Sequence, residues 1–213
     1  VAATVLKAIG ETTSGVVTVN GAMTISGTAE QLTTALVTEE SKVIATSANV
    51  TFGDNPTGAQ LAAINPKVGG TITLNANNQV FTGTAEQMQA AFNGGLAGTQ
   101  TGAVTISDTT GTIAATTLTD ITGETDGTVT AASAGITISG TTEQVTAAIV
   151  TEETKAVMTS GKVYLSDTGT VAATVLSGIG GTTSGVVTVN GAMTISGTTE
   201  QLTPALVTEE SKV

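Results

Sequence analysis

The sequence contains no cysteine, histidine, arginine or tryptophan, and only 2% of its 213 residues are aromatic. Without Cys or His, the chain can form no disulfide, no zinc site of the usual kinds and no Ser-His-Asp or Cys-His nucleophile. Six lysines stand against 17 acidic residues, and the net charge is −11. Because neutralising phosphates needs clustered Lys and Arg, this balance argues against a nucleic-acid partner. The sequence also has no apolar run of the length that spans a membrane.

An internal repeat dominates what is present. Residues Val1 to Val43 recur at Val171 to Val213, an offset of 170. The two copies differ only at the pairs Lys7/Ser177, Ala8/Gly178, Glu11/Gly181, Ala29/Thr199 and Thr34/Pro204. Such near-identity indicates recent duplication within a longer array. We therefore expect the sequence after Val213 to resume as it does after Val43, with Ile44-Ala45-Thr46.

Weaker repeats divide this long period. The string Gly-Thr-x-Glu-Gln begins at positions 27, 83, 140 and 197. It defines units of about 57 residues, three to the long period. A strand-like tetrad followed by a polar turn recurs at about half that spacing, starting at Met23, Val50, Gln79, Val104, Ile136, Val163 and Met193. The shorter period, about 28 residues, is typical of stacked supersecondary repeats.

The segment Val17 to Glu40 predicts strand, turn, strand and short helix. Val17-Thr18-Val19 and Met23-Thr24-Ile25-Ser26 alternate apolar and polar residues, as half-buried strands do. The Asn20-Gly21 between them is a hairpin signal by itself, but the matching joints vary in length, which favours a solenoid corner. Thr28 and Gln31 then have the spacing of a helix capping box, with Leu32, Ala35 and Leu36 on one apolar face. Looser helical patterns are predicted at Ile113 to Leu118 and Val171 to Leu176, and Pro204 predicts a shortened, kinked or non-α segment.

We therefore predict an elongated α/β solenoid with mostly parallel strands and one short helix per repeat. It would form one continuous array over 1–213, with units 1–43 (partial), 44–100, 101–156 and 157–213. A short helix cannot bury its apolar face alone, whereas stacked units lay like residues on like. The alternative is a string of small β-rich domains, one for each of the longer units.

Threonine supplies more than one residue in five, and this abundance raises one candidate binding surface. Thr18, Thr24, Thr71, Thr73, Thr105 and Thr137 could form hydroxyl rows that bind ice or a glycan. The simpler interpretation, which we favour, is that Thr forms strands and stays soluble without charge.

Acidic and amide residues raise further candidates. Asp54, Asp108 and Asp167 each follow a strand, and turn or cap duty is favoured over calcium binding, which stays open as an alternative. The pairs at 39–40, 152–153 and 209–210, with Lys42, Lys155 and Lys212, are interpreted as a solvated repeat edge. A Lys–Asn crosslink is the remote alternative for these lysines. Asn49-Val50-Thr51 fits the N-glycosylation pattern by chance. No nucleophile has a base beside it, so we expect neither an enzyme nor a cofactor.

The cassette of strand, Ser-Gly-Thr-x-Glu-Gln and apolar helix occurs at Ile25 to Leu36, Ile138 to Ile149 and Ile195 to Leu206. It resembles the Thr- and Ala-rich tandem repeats of very large bacterial surface proteins, including cyanobacterial and adhesin-type giants. The resemblance implies an extracellular location and a scaffold or adhesive role. We expect a structural segment of a surface filament, fibre or layer whose partners are copies of itself, head-to-tail or lateral. An adhesin or ice- or glycan-binding module is the alternative.

Overall fold

The computed structural model describes residues 1–151 and 155–207, and it divides into two compact units. Unit 1 comprises Val1–Ala103 and Glu124–Asp126, and unit 2 comprises Val104–Gly123 and Gly127–Val213. Within each unit, short helices alternate with short strands, and the strand pairs that the described residues form are parallel. The chain is therefore an α/β protein with several small parallel sheets.

The helices and strands of unit 1 all lie within Val1–Ala103. Its elements are α1 (Ala3–Thr12), β1 (Val17–Thr18), β2 (Thr24–Gly27), α2 (Ala29–Leu36), β3 (Val43–Ile44), β4 (Asn49–Phe52), α3 (Gly58–Ile64), β5 (Ile72–Thr73), β6 (Phe81–Gly83) and α4 (Ala85–Phe92). Short 3₁₀ helices at Glu39–Ser41 and Asn65–Lys67 lie between these elements. One sheet has the strand order β1-β3 and another the order β2-β4-β5.

Unit 2 continues the alternation. Its elements are β7 (Val104–Ile106), β8 (Gly111–Ala114), α5 (Ala115–Gly123), β9 (Val129–Thr130), β10 (Ile136–Gly140), α6 (Thr142–Ile149), β11 (Ala156–Val157), β12 (Lys162–Leu165), β13 (Thr170–Ala172), α7 (Ala173–Gly181), β14 (Val187–Val189), β15 (Thr194–Ser196) and α8 (Thr199–Leu206). Four strands form a sheet in the order β14-β12-β10-β8, and β13 pairs with β15. Strand β9 pairs with β7 and with β11.

Paired positions in neighbouring strands carry similar aliphatic side chains. In unit 1, Val50 pairs with Ile25 on one side and Ile72 on the other, and all three are fully buried. In unit 2 the corresponding buried row is Ile113, Ile138, Val163 and Val187. Neighbours in these rows belong to successive short repeats of the sequence. Since side chains alternate along a strand, one face of each sheet faces the core and the other faces outward.

The helices supply the other half of the core. They begin at positions 3, 29, 58, 85, 115, 142, 173 and 199, close to the spacing of the predicted tetrads. Leu32, Ala35 and Leu36 of α2 are buried, as the narrow apolar face of the sequence predicts. Successive helices within each unit contact one another: α1–α2, α2–α3 and α3–α4, then α5–α6, α6–α7 and α7–α8. With three Phe in the chain, the only aromatic pair among described residues is Phe81–Phe92, edge to face at 5.3 Å.

Several sequence predictions are confirmed at this level. The fold is α/β with short helices and parallel strands, and each of the seven predicted tetrads overlaps a strand. The Asn20-Gly21 joint does not close a hairpin, because β1 and β2 belong to different sheets. Gly21 has a positive φ of 74°, which suits a sharp corner.

Two local predictions are wrong. Ile113 and Ala114 end strand β8, and helix α5 begins only at Ala115. Likewise Val171 and Ala172 belong to β13, and α7 begins at Ala173. In both places a β-branched residue, Ile113 or Val171, packs in a strand, so the helix begins later than the sequence pattern predicts. The prediction for Pro204 is wrong in part: helix α8 contains this proline, yet it is α-helical and has the eight-residue length of α6, so the segment is neither shortened nor a non-α turn.

Candidate functional site

Reciprocal capping boxes fix where the Thr-capped helices begin. The Thr28 N–H donates to Gln31 Oε1 at 3.0 Å, and the Gln31 N–H donates back to Thr28 Oγ1 at 3.3 Å. The same box forms at Thr84, Thr141 and Thr198, as the sequence predicts. A fifth box, Thr57 with Gln60, was missed because its segment lacks both the Gly and the Glu of Gly-Thr-x-Glu-Gln. Each box satisfies two backbone N–H groups that would otherwise lack partners.

At three of the four cassettes, the glycine packs closely against the first Ala of the preceding helix. A Cβ at Gly27 would lie 3.1 Å from Ala3 Cβ, at the start of α1, and 3.0 Å from Gln31 Oε1. The pairs Gly140 with Ala115 and Gly197 with Ala173 have the same spacing. Helices α1 and α7 have no side-chain cap of their own, and their first Ala packs against this glycine. At these three places a helix that begins with Ala is followed by a repeat with the Gly-Thr cassette, whereas the fourth cassette, at Gly83, follows the Thr57-capped helix α3.

The aspartates that follow strands cap helices of the repeat before them. Asp54 follows β4, and its Oδ1 accepts the N–H of Ala29, the first residue of α2, at 2.7 Å. Asp167 follows β12, and its Oδ2 accepts the N–H and the hydroxyl of Thr142, at the start of α6, at 2.5 and 2.7 Å. Both aspartates reach back 25 residues. The predicted cap duty is confirmed for these two, but each caps the previous helix rather than its own.

Electrostatics favour the charged form of Asp167. Partial burial raises its pKa, but the hydrogen bonds from the Thr142 hydroxyl, the Thr142 N–H and its own N–H outweigh burial, so the pKa lies below the usual value of 3.8. A carboxylate at a helix N-terminus is further favoured by the helix dipole. Asp167 is therefore ionised at neutral pH and acts as an anionic clamp between two repeats.

Helix C-termini receive matching caps from the neighbouring repeat. The Lys42 ammonium donates to the carbonyls of Gly10 and Thr13, at the end of α1, at 3.2 and 2.6 Å. The solvated-edge interpretation is therefore wrong for Lys42, which is half-buried with a left-handed φ of 52°. Buried Asn65 makes equivalent contacts from its Nδ2 to the carbonyls of Ala90 and Ala91 in α4. The Lys42 ammonium and the Asn65 amide thus donate hydrogen bonds to carbonyl oxygens at a helix C-terminus, which have no partner within the helix.

The structure also shows where most of the remaining candidate residues from the sequence lie. The Asn49 amide, which glycosylation would modify, donates to Ala22 O at 3.2 Å and accepts the Thr71 N–H at 2.8 Å. Asp108 is half-buried after β7, and Glu39 and Glu40 are exposed. Lys155 is half-buried. The pairs at 152–153 and 209–210, with Lys212, lie outside the described residues.

The outward strand faces carry hydroxyls in short rows only. The longest described row is Ser26, Thr51 and Thr73. Other rows are broken by bulky or charged side chains: Thr18–Ile44, Thr105–Thr130–Val157 and Thr112–Thr137–Lys162. Thr24 faces Asn49. An extended, uniform threonine lattice therefore does not occur on the described sheets.

One open cleft of about 850 Å³ lies in unit 2 beside the Asp167 clamp, between α6 and α7. Its lining is mostly Thr, Ala and Val, and its two carboxylates belong to Glu143 and Asp167. Within residues 1–151 and 155–207, no three acidic side chains gather where they could hold a metal ion. None of the helices in that part of the chain is long and apolar enough to cross a membrane. The arrangement that recurs is thus one of helix caps between repeats.

Comparison with protein-family models, with curated proteins and with solved structures gives no match to this chain. The functional argument therefore depends on the contacts between repeats.

Proposed function

We propose that this chain is a structural repeat segment of a secreted bacterial surface filament, fibre or layer, built as an α/β solenoid. The observation that supports this most is the parallel register, in which Ile25, Val50 and Ile72 stack on one another in successive repeats. Because a strand pairs in parallel with strands of the repeat before it and the repeat after it, further repeats can be added through the same pairing. The function proposed is to extend and bear load without chemistry of its own.

The caps between repeats support the same proposal. Asp54 and Asp167 tie a strand end to the preceding helix N-terminus, and Lys42 ties a loop to the preceding helix C-terminus. These polar bonds fix the rotation of one repeat on the next, while the buried aliphatic rows supply most of the stabilisation.

We propose an extracellular location because the repeats resemble those of bacterial surface proteins. The strongly acidic composition agrees with this, since a high net charge keeps a large surface soluble. An adhesive threonine face is the alternative that the sequence raised. The broken hydroxyl rows give no specific observation in its favour.

Small-angle X-ray scattering on chains of one, two and three 170-residue periods tests the proposal. One period contains the six helices α1 to α6. Parallel strands repeat about every 4.8 Å, so each added period should lengthen the particle by about 30 Å. Separate 57-residue domains would each have a radius of gyration of about 10 Å, so three in a row would add about 80 Å per period. An increment near the larger value would overturn the solenoid.

A further inference from the structure

The outward face of one sheet in unit 2 carries the single tyrosine of the chain. Tyr164 of β12 is 39% exposed, whereas the three phenylalanines of the chain are buried. In the parallel register, Tyr164 pairs with Ser139 of β10 on one side and with Thr188 of β14 on the other. An aromatic ring thus lies on an open surface between two residues that carry hydroxyl groups.

The charge on this face is opposite in sign to the net charge of the chain. The outward residues of β8, β10, β12 and β14 are Thr112, Ala114, Thr137, Ser139, Lys162, Tyr164 and Thr188. Lys162 is exposed and is the only charged residue among them, although acidic residues outnumber lysines 17 to 6 in the sequence. Since Lys162 is two residues before Tyr164, their side chains lie on the same face, with Cα atoms about 7 Å apart.

Strands β4 and β7 are equivalents of β12 that lack this pair. Each of the three strands has a buried Val, an outward residue and a second buried apolar residue, and an aspartate follows two residues later. The outward residue is Thr51 in β4 and Thr105 in β7, but Tyr164 in β12. The residue before the Val is Asn49 in β4 and Lys162 in β12. Because the buried residues are alike in all three strands, packing of the core does not account for the tyrosine and the lysine on the outer face.

We infer that this face, formed by Tyr164, Lys162, Ser139 and Thr188, binds a polysaccharide that contains uronic acid units. The C–H face of a sugar ring packs against an aromatic ring, and hydroxyl side chains exchange hydrogen bonds with sugar hydroxyls. The Lys162 ammonium supplies a charge-assisted hydrogen bond to a carboxylate of the sugar. Repulsion from the acidic remainder of the chain is screened beyond about 8 Å at physiological salt, so the charge of the face itself governs the contact.

This surface is distinct from the uniform threonine rows considered above, because the residues that interrupt those rows form it. The inference is also independent of the proposed stacking function, since it concerns the outward side of the sheet and not the contacts between repeats.

The intrinsic fluorescence of Tyr164 tests the inference, because the chain has no tryptophan and no second tyrosine. Titration with polygalacturonate in calcium-free buffer should change this emission until it saturates. The methyl ester of the same polymer keeps the sugar rings but loses the charges, so it should bind several-fold more weakly. Polyglutamate has carboxylates but no sugar rings, and it should leave the emission unchanged.

Two variants remove the surface while keeping the fold. Tyr164→Thr introduces the residue of β4 and β7, and Lys162→Asn introduces the residue of β4. In affinity electrophoresis through polygalacturonate gels, each should bind on the order of tenfold more weakly than the wild type. Lys67→Asn, which removes an exposed lysine in unit 1, is the matched control and should bind like the wild type. Far-UV circular dichroism and the thermal midpoint verify that each variant folds.

Several results would overturn the inference. These are a wild type that does not bind polygalacturonate, variants of Tyr164 or Lys162 that bind like the wild type, an equal loss in Lys67→Asn, or equal binding of polyglutamate or the methyl ester. The comparison of polymers on the wild type stays decisive if a variant fails to fold. None of these results alters the scattering increment of covalently joined periods, which tests the proposed function by itself.

Discussion

Replacing Asp167 with alanine is expected to lower the free energy of unfolding by about 2 kcal/mol, the upper range for a lost helix cap. The carboxylate accepts two hydrogen bonds from Thr142, at 2.5 and 2.7 Å. Hydrogen bonds to charged groups contribute roughly 1.5–3 kcal/mol and helix N-caps about 0.5–2 kcal/mol. Because Asp167 is only half-buried and one oxygen accepts both bonds, the value should lie near the upper limit for a cap rather than at the sum of two bonds.

Comparison within the chain separates the two bonds. Asp54 accepts only the Ala29 N–H, so Asp54→Ala should cost about 1 kcal/mol. Thr142→Val removes the hydroxyl and keeps the N–H. In that background, the loss in free energy of unfolding caused by Asp167→Ala should therefore also fall to about 1 kcal/mol. Glu124→Ala, at an exposed carboxylate, is the control and should change stability by no more than about 0.5 kcal/mol. Urea unfolding followed by circular dichroism measures the stability of each of these variants, with Thr142→Val as the reference for the double variant. Asp167→Ala indistinguishable from the Glu124 control would refute the clamp.

Three further predictions concern pH and the other contacts between repeats. Because the pKa of Asp167 is lowered in the folded state, its contribution to the free energy of unfolding should be complete above about pH 5 and should be lost as the pH falls through the folded pKa. The difference in urea midpoint between the wild type and Asp167→Asn should therefore shrink as the solution is acidified below the usual pKa of 3.8. Gly10→Ala should destabilise by about 3 kcal/mol or more in thermal unfolding, because its Cβ would lie 1.7 Å from the Ser41 carbonyl oxygen, whereas Gly123→Ala, with no atom within 4 Å, should lose nothing. Lys42→Met should cost about 1–2 kcal/mol by removing the ammonium from two carbonyls of the α1 end, and an unchanged urea midpoint would contradict its role as a cap.

Features set by neighbouring residues could be predicted from the sequence. The strand tetrads show the alternation of half-buried strands, and Thr28 with Gln31 shows the capping-box spacing, because both signals lie within a few residues. The same local reasoning placed the start of α5 too early, since Ile113 fits a helix pattern as well as a strand row. Pro204 is tolerated near the end of α8, where it removes one hydrogen bond without ending the helix.

The contacts between repeats could not be predicted, because they join residues a whole repeat apart in the sequence. Nothing near Asp54 indicates that its partner is the N–H of Ala29. The sequence around Lys42, with two glutamates just before it, likewise gives no sign that its ammonium binds carbonyls at the end of α1. The spacing of the longer unit could be read from the sequence, but the close contact of Ala3 with Gly27 of the next repeat could be seen only in the structure.

The central claim, that each strand pairs in parallel with the next repeat, can be tested by disulfide formation in this cysteine-free chain. Ser26 and Thr51 are register partners on the outward face of β2 and β4. Parallel strands lie about 4.8 Å apart, inside the roughly 4.4–6.8 Å between Cα atoms that a disulfide spans. The double variant Ser26→Cys/Thr51→Cys should therefore oxidise to an intramolecular disulfide, detected by mass spectrometry and mobility, while Thr18→Cys/Met23→Cys, which a hairpin at Asn20-Gly21 would bring together, should not. Crosslinking of the second pair without the first would contradict the account.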